Sequence, residues 1–179
     1  MSKFTLHTIE SAPEAAKDLL RNSEKSMGMI PNLHAVMATS PALLNAYQQL
    51  HERFTNSSFN AEEMTVVWQT INVFHDCHYC VPAHIAIAKS MGVDDDITAS
   101  IKAGNELDDD KLEALRQFVL SMLKQRGNVA DDVLESFYSA GFSQQHVLDV
   151  IVGIAQKTMS NYTNHIAHTP IDEPFKKFA

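Results

Sequence analysis

No stretch of this chain alternates apolar and polar residues over the length of a half-buried strand, whereas signals that open and close helices recur throughout. That contrast restricts the chain to an all-α fold, helix packed on helix. Ser11-Ala12-Pro13-Glu14 reads as a capping box with proline in the first turn, opening a helix that ends near Gly28. Met29-Ile30-Pro31 reads as a connector. After Ser40-Pro41, the residues Leu43, Tyr47, Leu50 and Phe54 recur at helical spacing and predict an amphipathic helix with its apolar face inward. Asn60-Ala61-Glu62-Glu63 caps the next, through about Phe74. Further helices are predicted from about Pro82 to Met91, Asp95 to Ala103, Asp109 to Arg126 closed by Gly127, Asp131 to Ser139 closed by Gly141, and Gln144 to about His168. At 179 residues, 45% of them hydrophobic, the chain has the length for one globular domain with a substantial core.

The two halves look related. A shift of 83 positions lays Phe59-Asn60 on Phe142-Ser143, Ile71 on Ile154, Tyr79 on Tyr162, Leu50 on Val133 and Phe54 on Phe137 without a gap. A duplicated helical unit, spanning about 40–91 and 109–168, is the simplest explanation. On this register Cys77 and Cys80 fall opposite Ser160 and Thr163, so the second copy reads as scaffold.

Net charge is -8, and the 14 Lys and Arg are scattered singly, with no basic stripe of the kind a nucleic-acid backbone requires. The N-terminal Met-Ser-Lys-Phe-Thr-Leu-His-Thr has no apolar core of a leader, and no stretch approaches the roughly 20 apolar residues of a membrane span. A cytoplasmic protein that binds neither nucleic acid nor membrane is expected.

The only two cysteines stand three apart, in Cys77-His78-Tyr79-Cys80. In a reducing compartment a lone C-x-x-C points to redox exchange or to a metal rather than to a structural disulfide. Asp76 suits the N-cap of a helix carrying the pair, although a start nearer His78 fits Pro82 better; either leaves the thiols near a helix N-terminus, where the dipole favours the reactive thiolate. Cys77, Cys80 and His84 follow at i, i+3 and i+7 and share one face, so His84 can reach Cys80. An imidazole there can take the thiol proton and stabilise the thiolate as a cation, which makes Cys80 the candidate nucleophile and Cys77 the resolving thiol. On the preceding helix Glu62, Thr65, Gln69 and Asn72 form one polar stripe, which faces either the thiols or water.

Trp68-Gln69-Thr70-Ile71-Asn72-Val73, followed by Cys77-His78-Tyr79-Cys80-Val81-Pro82-Ala83-His84, resembles the signature of the AhpD-like alkylhydroperoxidases within the carboxymuconolactone decarboxylase superfamily. The resemblance implies an all-helical domain built from a duplicated unit and assembled as a homo-oligomer. It implies reduction of a peroxide or a disulfide, with a cellular dithiol as reductant and no cofactor. It assigns attack to Cys80, resolution to Cys77 and a proton relay to His84. Two positions depart from the family pattern: the relay glutamate is Thr65, and the histidine just before the second cysteine is Tyr79. Glu62, one turn before Thr65, is the better stand-in, since Glu63 lies about 200° away round the helix.

Other readings compete at individual residues. A zinc-binding or assembly module could use the cysteines with His75, His78 and His84 as ligands. Glu63 reads as the capping-box partner of Asn60, Tyr79 as packing, and His165 and His168 as histidines favoured at a helix C-terminus.

Overall fold

The computed structural model describes residues 4–179; residues 1–3, part of the N-terminal stretch read above for a leader, lie outside the described residues. Nine α-helices follow one another among them: α1 (Glu14–Met27), α2 (Asn32–Met37), α3 (Pro41–Thr55), α4 (Ala61–Phe74), α5 (Cys80–Ser90), α6 (Asp95–Ala103), α7 (Asp110–Lys124), α8 (Asp131–Ser139) and α9 (Gln144–Ala167). A 3-10 helix, Glu173–Phe178, closes the chain, and the described residues contain no strand. Among them no helix is long and apolar enough to cross a membrane.

Most starts obey local chemistry. The Ser40 side chain accepts the Leu43 N–H, and the Asp109 carboxylate accepts the Leu112 N–H. Asn60 and Glu63 satisfy each other's backbone N–H groups at 2.9 Å, so Glu63 is the capping partner its spacing announces. Ser11 departs from expectation. Its hydroxyl accepts the Thr8 N–H at 2.9 Å and closes the turn before α1, while Pro13 occupies the N-cap with no side-chain cap bond. Met29-Ile30-Pro31 is the connector it reads as, and the residues after it wind into α2, a helix that the sequence patterns did not mark.

Helix α4 is the central element and packs against α5, α6, α7 and α9. Val66, Val67, Trp68 and Ile71 are buried, and so are Thr65, Gln69 and Asn72 on the opposite stripe. An apolar cluster built on Phe54, Trp68, Phe118, Phe137 and Phe142 fills one side, with Phe137 stacked between Phe118 at 4.2 Å and Phe142 at 4.5 Å. A second cluster joins Leu20, Met37, Leu44 and Tyr47 to Cys77, Tyr79, Cys80 and Ala83. The thiols therefore belong to a packed interior. Helices α3 and α9 meet closely because position 153 is glycine: a Cβ there would lie 2.8 Å from the Phe54 ring.

Candidate active site

The two cysteines hang on different backbone devices. Asp76 is left-handed (φ 51°), its N–H bonds to the Val73 carbonyl at 2.9 Å, and the Cys77 N–H bonds to the Asn72 carbonyl at 3.0 Å. This is the Schellman closure of α4. Asp76 thus ends one helix instead of capping the next, a correction to the sequence expectation; aspartate tolerates the left-handed conformation better than most residues. Cys80 is the first residue of α5, and its N–H donates to Cys77 Sγ at 3.3 Å. Pro82 then falls in the first turn, where its missing N–H leaves no intrahelical bond unmade.

Helix α9 runs against the segment with its polar residues turned inward. Gln156, Lys157, Ser160, Asn161 and Asn164 are fully buried, while Leu148, Ile151, Tyr162 and Ile166 on the same helix are exposed. The expectation of a purely scaffolding second half is corrected by this face. Asn164 Nδ2 donates to Cys80 Sγ at 3.2 Å and reaches Cys77 Sγ at 3.9 Å. Asn161 donates to Asn72 Oδ1 at 3.0 Å, Asn72 donates to Gln69 Oε1 at 3.1 Å, and Gln69 donates to the Val81 carbonyl at 3.0 Å. Of the polar stripe on α4, Gln69 and Asn72 therefore face the cysteine segment rather than water. Thr65 turns back to its own helix, bonding the Ala61 carbonyl, and Glu62 is exposed beside Asp94 and Asp96. Glu62 supplies nothing to the thiols, so the stand-in read from spacing is corrected as well.

His84 is buried on α5, but its Nε2 lies 2.7 Å from Lys157 Nζ, which donates to it. Burial first, then the Lys157 and His51 charges, hold this imidazole well below its usual pKa. His84 is held as the neutral imidazole, and the basic side chain beside it, Lys157, is one that sequence reasoning passed over. Behind His84 runs a column of rings: Trp68 at 5.0 Å, His51 stacked on Trp68 at 5.7 Å, Tyr47 on His51 at 6.5 Å, and His34 edge-on to Tyr47 at 5.5 Å. Gln156 locks it, accepting from Trp68 Nε1 at 2.8 Å and donating to His51 Nδ1 at 3.1 Å.

The thiols are unequal. Burial pushes Cys80 up, but the hydrogen bond from Cys77, the Lys157 charge and the Asn164 and Asn161 amides outweigh it and lower the Cys80 thiol below its ordinary value. Cys77 is raised by that same bond to Cys80, by burial and by the neighbouring thiolate charge. Cys80 carries the thiolate and Cys77 keeps the proton.

A cavity of about 40 Å³ lies at Cys80, lined also by His34, Tyr47, Ala83, His84 and Lys157. The C-terminal segment straps the cysteine turn in place. Tyr79 donates to the buried Asp172 carboxylate, which also accepts the Asn32 N–H at 3.0 Å, and the His78 ring bonds the Thr169 carbonyl at 2.9 Å. Tyr79 is thus a polar tie as well as packing. His75 bonds Asn161 Oδ1 at 2.8 Å, so the three histidines that zinc would need have separate partners. Among the described residues no group of three His, Cys, Asp or Glu side chains could hold a metal ion.

Three solved structures carry the same arrangement of helices. A peroxidase-related protein from Ralstonia eutropha JMP134, described as an alkylhydroperoxidase AhpD core, superposes with a TM-score of 0.86 at 17% identity, covering 97% of this chain and 94% of the other. The chain has the AhpD fold. A peroxidase-related protein from Silicibacter sp. TM1040 matches at TM-score 0.80 and 17% identity over 99% of this chain and 97% of its own. The debrominase Bmp8, in complex with 2,3,4-tribromopyrrole, matches at TM-score 0.82 and 15% identity over 99% and 96%. No family model matches the sequence, and no curated protein does. On the AhpD fold Cys77, Cys80 and His84 come together as their spacing predicts, and Lys157, Asn161 and Asn164 join them from α9. The signal for these three was present only as polar residues at i, i+4 and i+7, a helical spacing among many other polar residues of α9.

Proposed function

We propose that this protein is a thiol-dependent peroxidase in which the Cys80 thiolate attacks the outer oxygen of a peroxide. The O–O bond breaks, Cys80 becomes a sulfenic acid, and the alcohol leaves with a proton. Cys77 then attacks the Cys80 sulfur, water departs, and a cellular dithiol reduces the resulting disulfide. His84 orients the buried cation rather than acting as one, and the reaction calls for no cofactor. The observation that carries this reading is the pairing of an acidified Cys80 with a protonated Cys77, held by Asn164 at both sulfurs. The cavity of about 40 Å³ at Cys80 suits a small hydroperoxide at the attacking sulfur, and a wider cleft of about 410 Å³ opens beside Cys77. The chemistry requires a reducing compartment, as in the cytoplasm, and self-association is part of the same proposal.

The test is peroxide consumption with dithiothreitol as reductant. Cys80→Ser should abolish turnover, and Cys77→Ser should consume about one equivalent of peroxide and stall as a sulfenic acid or mixed disulfide visible by intact mass. Equal cycling by Cys77→Ser and the wild type would overturn the two-thiol mechanism. Bound zinc with both thiols protected would replace it with the metal-module reading.

A further inference from the structure

Lys157 is fully buried, and among the described residues it forms no ion pair with a carboxylate. Its Nζ donates to His84 Nε2 at 2.7 Å in the cavity that Cys80 also lines. The titratable groups around it are Cys80 and His84 on α5, Cys77 and Tyr79 in the preceding turn, Tyr47 and His51 on α3, and His34 on α2; Tyr79 is tied to the Asp172 carboxylate. The α4 and α9 side chains that contact His84, the cysteine segment or one another, Trp68, Gln69, Asn72, Asn161 and Asn164, are uncharged. Among the described residues the negative charges that act on Lys157 are those of Cys80 and Cys77, so a thiolate is what balances an ammonium here.

We propose that Lys157 is the counter-cation of the Cys80 thiolate and gives up its proton when Cys77 and Cys80 join as a disulfide. Burial lowers the lysine, while the Cys80 and Cys77 charges raise it; disulfide formation removes the raising influence and leaves burial unopposed. The inference rests on the reading of the cysteines as a redox pair. Oxidation then balances internally. Cys80 thiolate, Cys77 thiol, Lys157 ammonium and a hydroperoxide become the disulfide, neutral Lys157, an alcohol and water. In the return step a dithiol passes two electrons to the disulfide and its two protons to Cys77 sulfur and Lys157 Nζ, releasing Cys80 as thiolate. Lys157 stores the proton that a thiolate–disulfide cycle would otherwise exchange with solvent.

The test needs no peroxide. The full chain is equilibrated with reduced and oxidised dithiothreitol at several pH values around neutrality, and Cys80 ionisation is followed separately by the pH dependence of alkylation. The wild type should show Cys80 ionised near neutral pH together with an exchange constant that does not change with pH. In Lys157→Arg the cation cannot be discharged, so Cys80 should stay ionised while the exchange constant rises about tenfold per pH unit, or 29.6 mV in potential for a two-electron couple. Lys157→Met, which keeps an unbranched chain without charge, should ionise at Cys80 at least tenfold less at neutral pH. Wild-type exchange that already changes tenfold per unit overturns the proposal, as does Cys80 titrating identically in Lys157→Met. Should Lys157→Arg not fold, the Met variant and the wild type still decide. Failure of peroxide turnover with these behaviours intact would sink the peroxidase reading and leave the proton store standing.

Discussion

Mild acid should unfold this protein through its histidines. Burial, followed by the nearby His51 charge for His34 and the Lys157 charge for His51, pushes both imidazoles from 6.5 down to about 4. Between these values the unfolded chain binds protons that the folded chain refuses. The stability conferred by the depressed values is therefore present above about pH 6.5 and is lost as pH falls toward 4. A gap of about 2.5 units is worth about 3 kcal/mol per histidine, roughly 6–7 kcal/mol for the pair. That rivals the roughly 5–15 kcal/mol that holds a typical domain together. His84 adds in the same direction, whereas Asp172, raised mainly by burial, opposes it because acid relieves its penalty. Urea unfolding followed by circular dichroism between about pH 6.5 and 4.5 should show stability falling, with these two imidazoles contributing up to about 2.7 kcal/mol per pH unit near the middle of the range, where each accounts for nearly one proton. His51→Gln keeps an acceptor for Gln156 and should lower the slope by about 1.4 kcal/mol per unit, the share of one proton. Constant stability over this range, or an unchanged slope in His51→Gln, would refute the reasoning.

Three further outcomes follow from single contacts. Gly153→Ala should destabilise by about 1–2 kcal/mol in urea titrations, because overpacking at 2.8 Å against a Phe54 ring fixed by Trp68 at 5.1 Å outweighs the roughly 1 kcal/mol gained in helix propensity. Tyr79→Phe takes a hydrogen-bond donor from the buried Asp172 carboxylate and should cost about 1–3 kcal/mol, read as a melting temperature lower by about 3–10 °C. Asn164→Leu removes the amide at 3.2 Å from Cys80 Sγ and should raise the apparent pKa of Cys80 alkylation by about one unit, with Lys157 still in place; an unchanged profile would show that the amide does not hold the thiolate.

Most helices were legible because they carry their own punctuation, such as Asn60 with Glu63, Asp109 before α7, and Gly28 with φ 71° after α1, whereas α2, which opens on Pro31 with no side-chain cap, was not. The thiol pair and His84 were legible because helical spacing is local. What pattern could not show was the partner helix. Lys157, Asn161 and Asn164 lie more than seventy residues from the cysteines, and their burial inverts the usual rule that polar residues face water. Ser11 and Asp76 misled for a related reason, since their short polar side chains serve a cap or a turn equally well and only the backbone path decides. Tyr79 looked like packing because its partner, Asp172, arrives from the far end of the chain.

The column of rings behind His84 has an optical consequence. Trp68 is the only tryptophan in the sequence, so all indole emission comes from one place, a ring 5.0 Å from His84 and 5.7 Å from His51 with its N–H fixed on Gln156. Imidazolium rings and disulfides quench indole fluorescence when they are close. The native protein is therefore its own indicator: without any attached dye, its emission should brighten or dim as the histidines gain protons and as the cysteine pair changes state, and a rapid-mixing trace would resolve the two by their different dependence on acid and on oxidant.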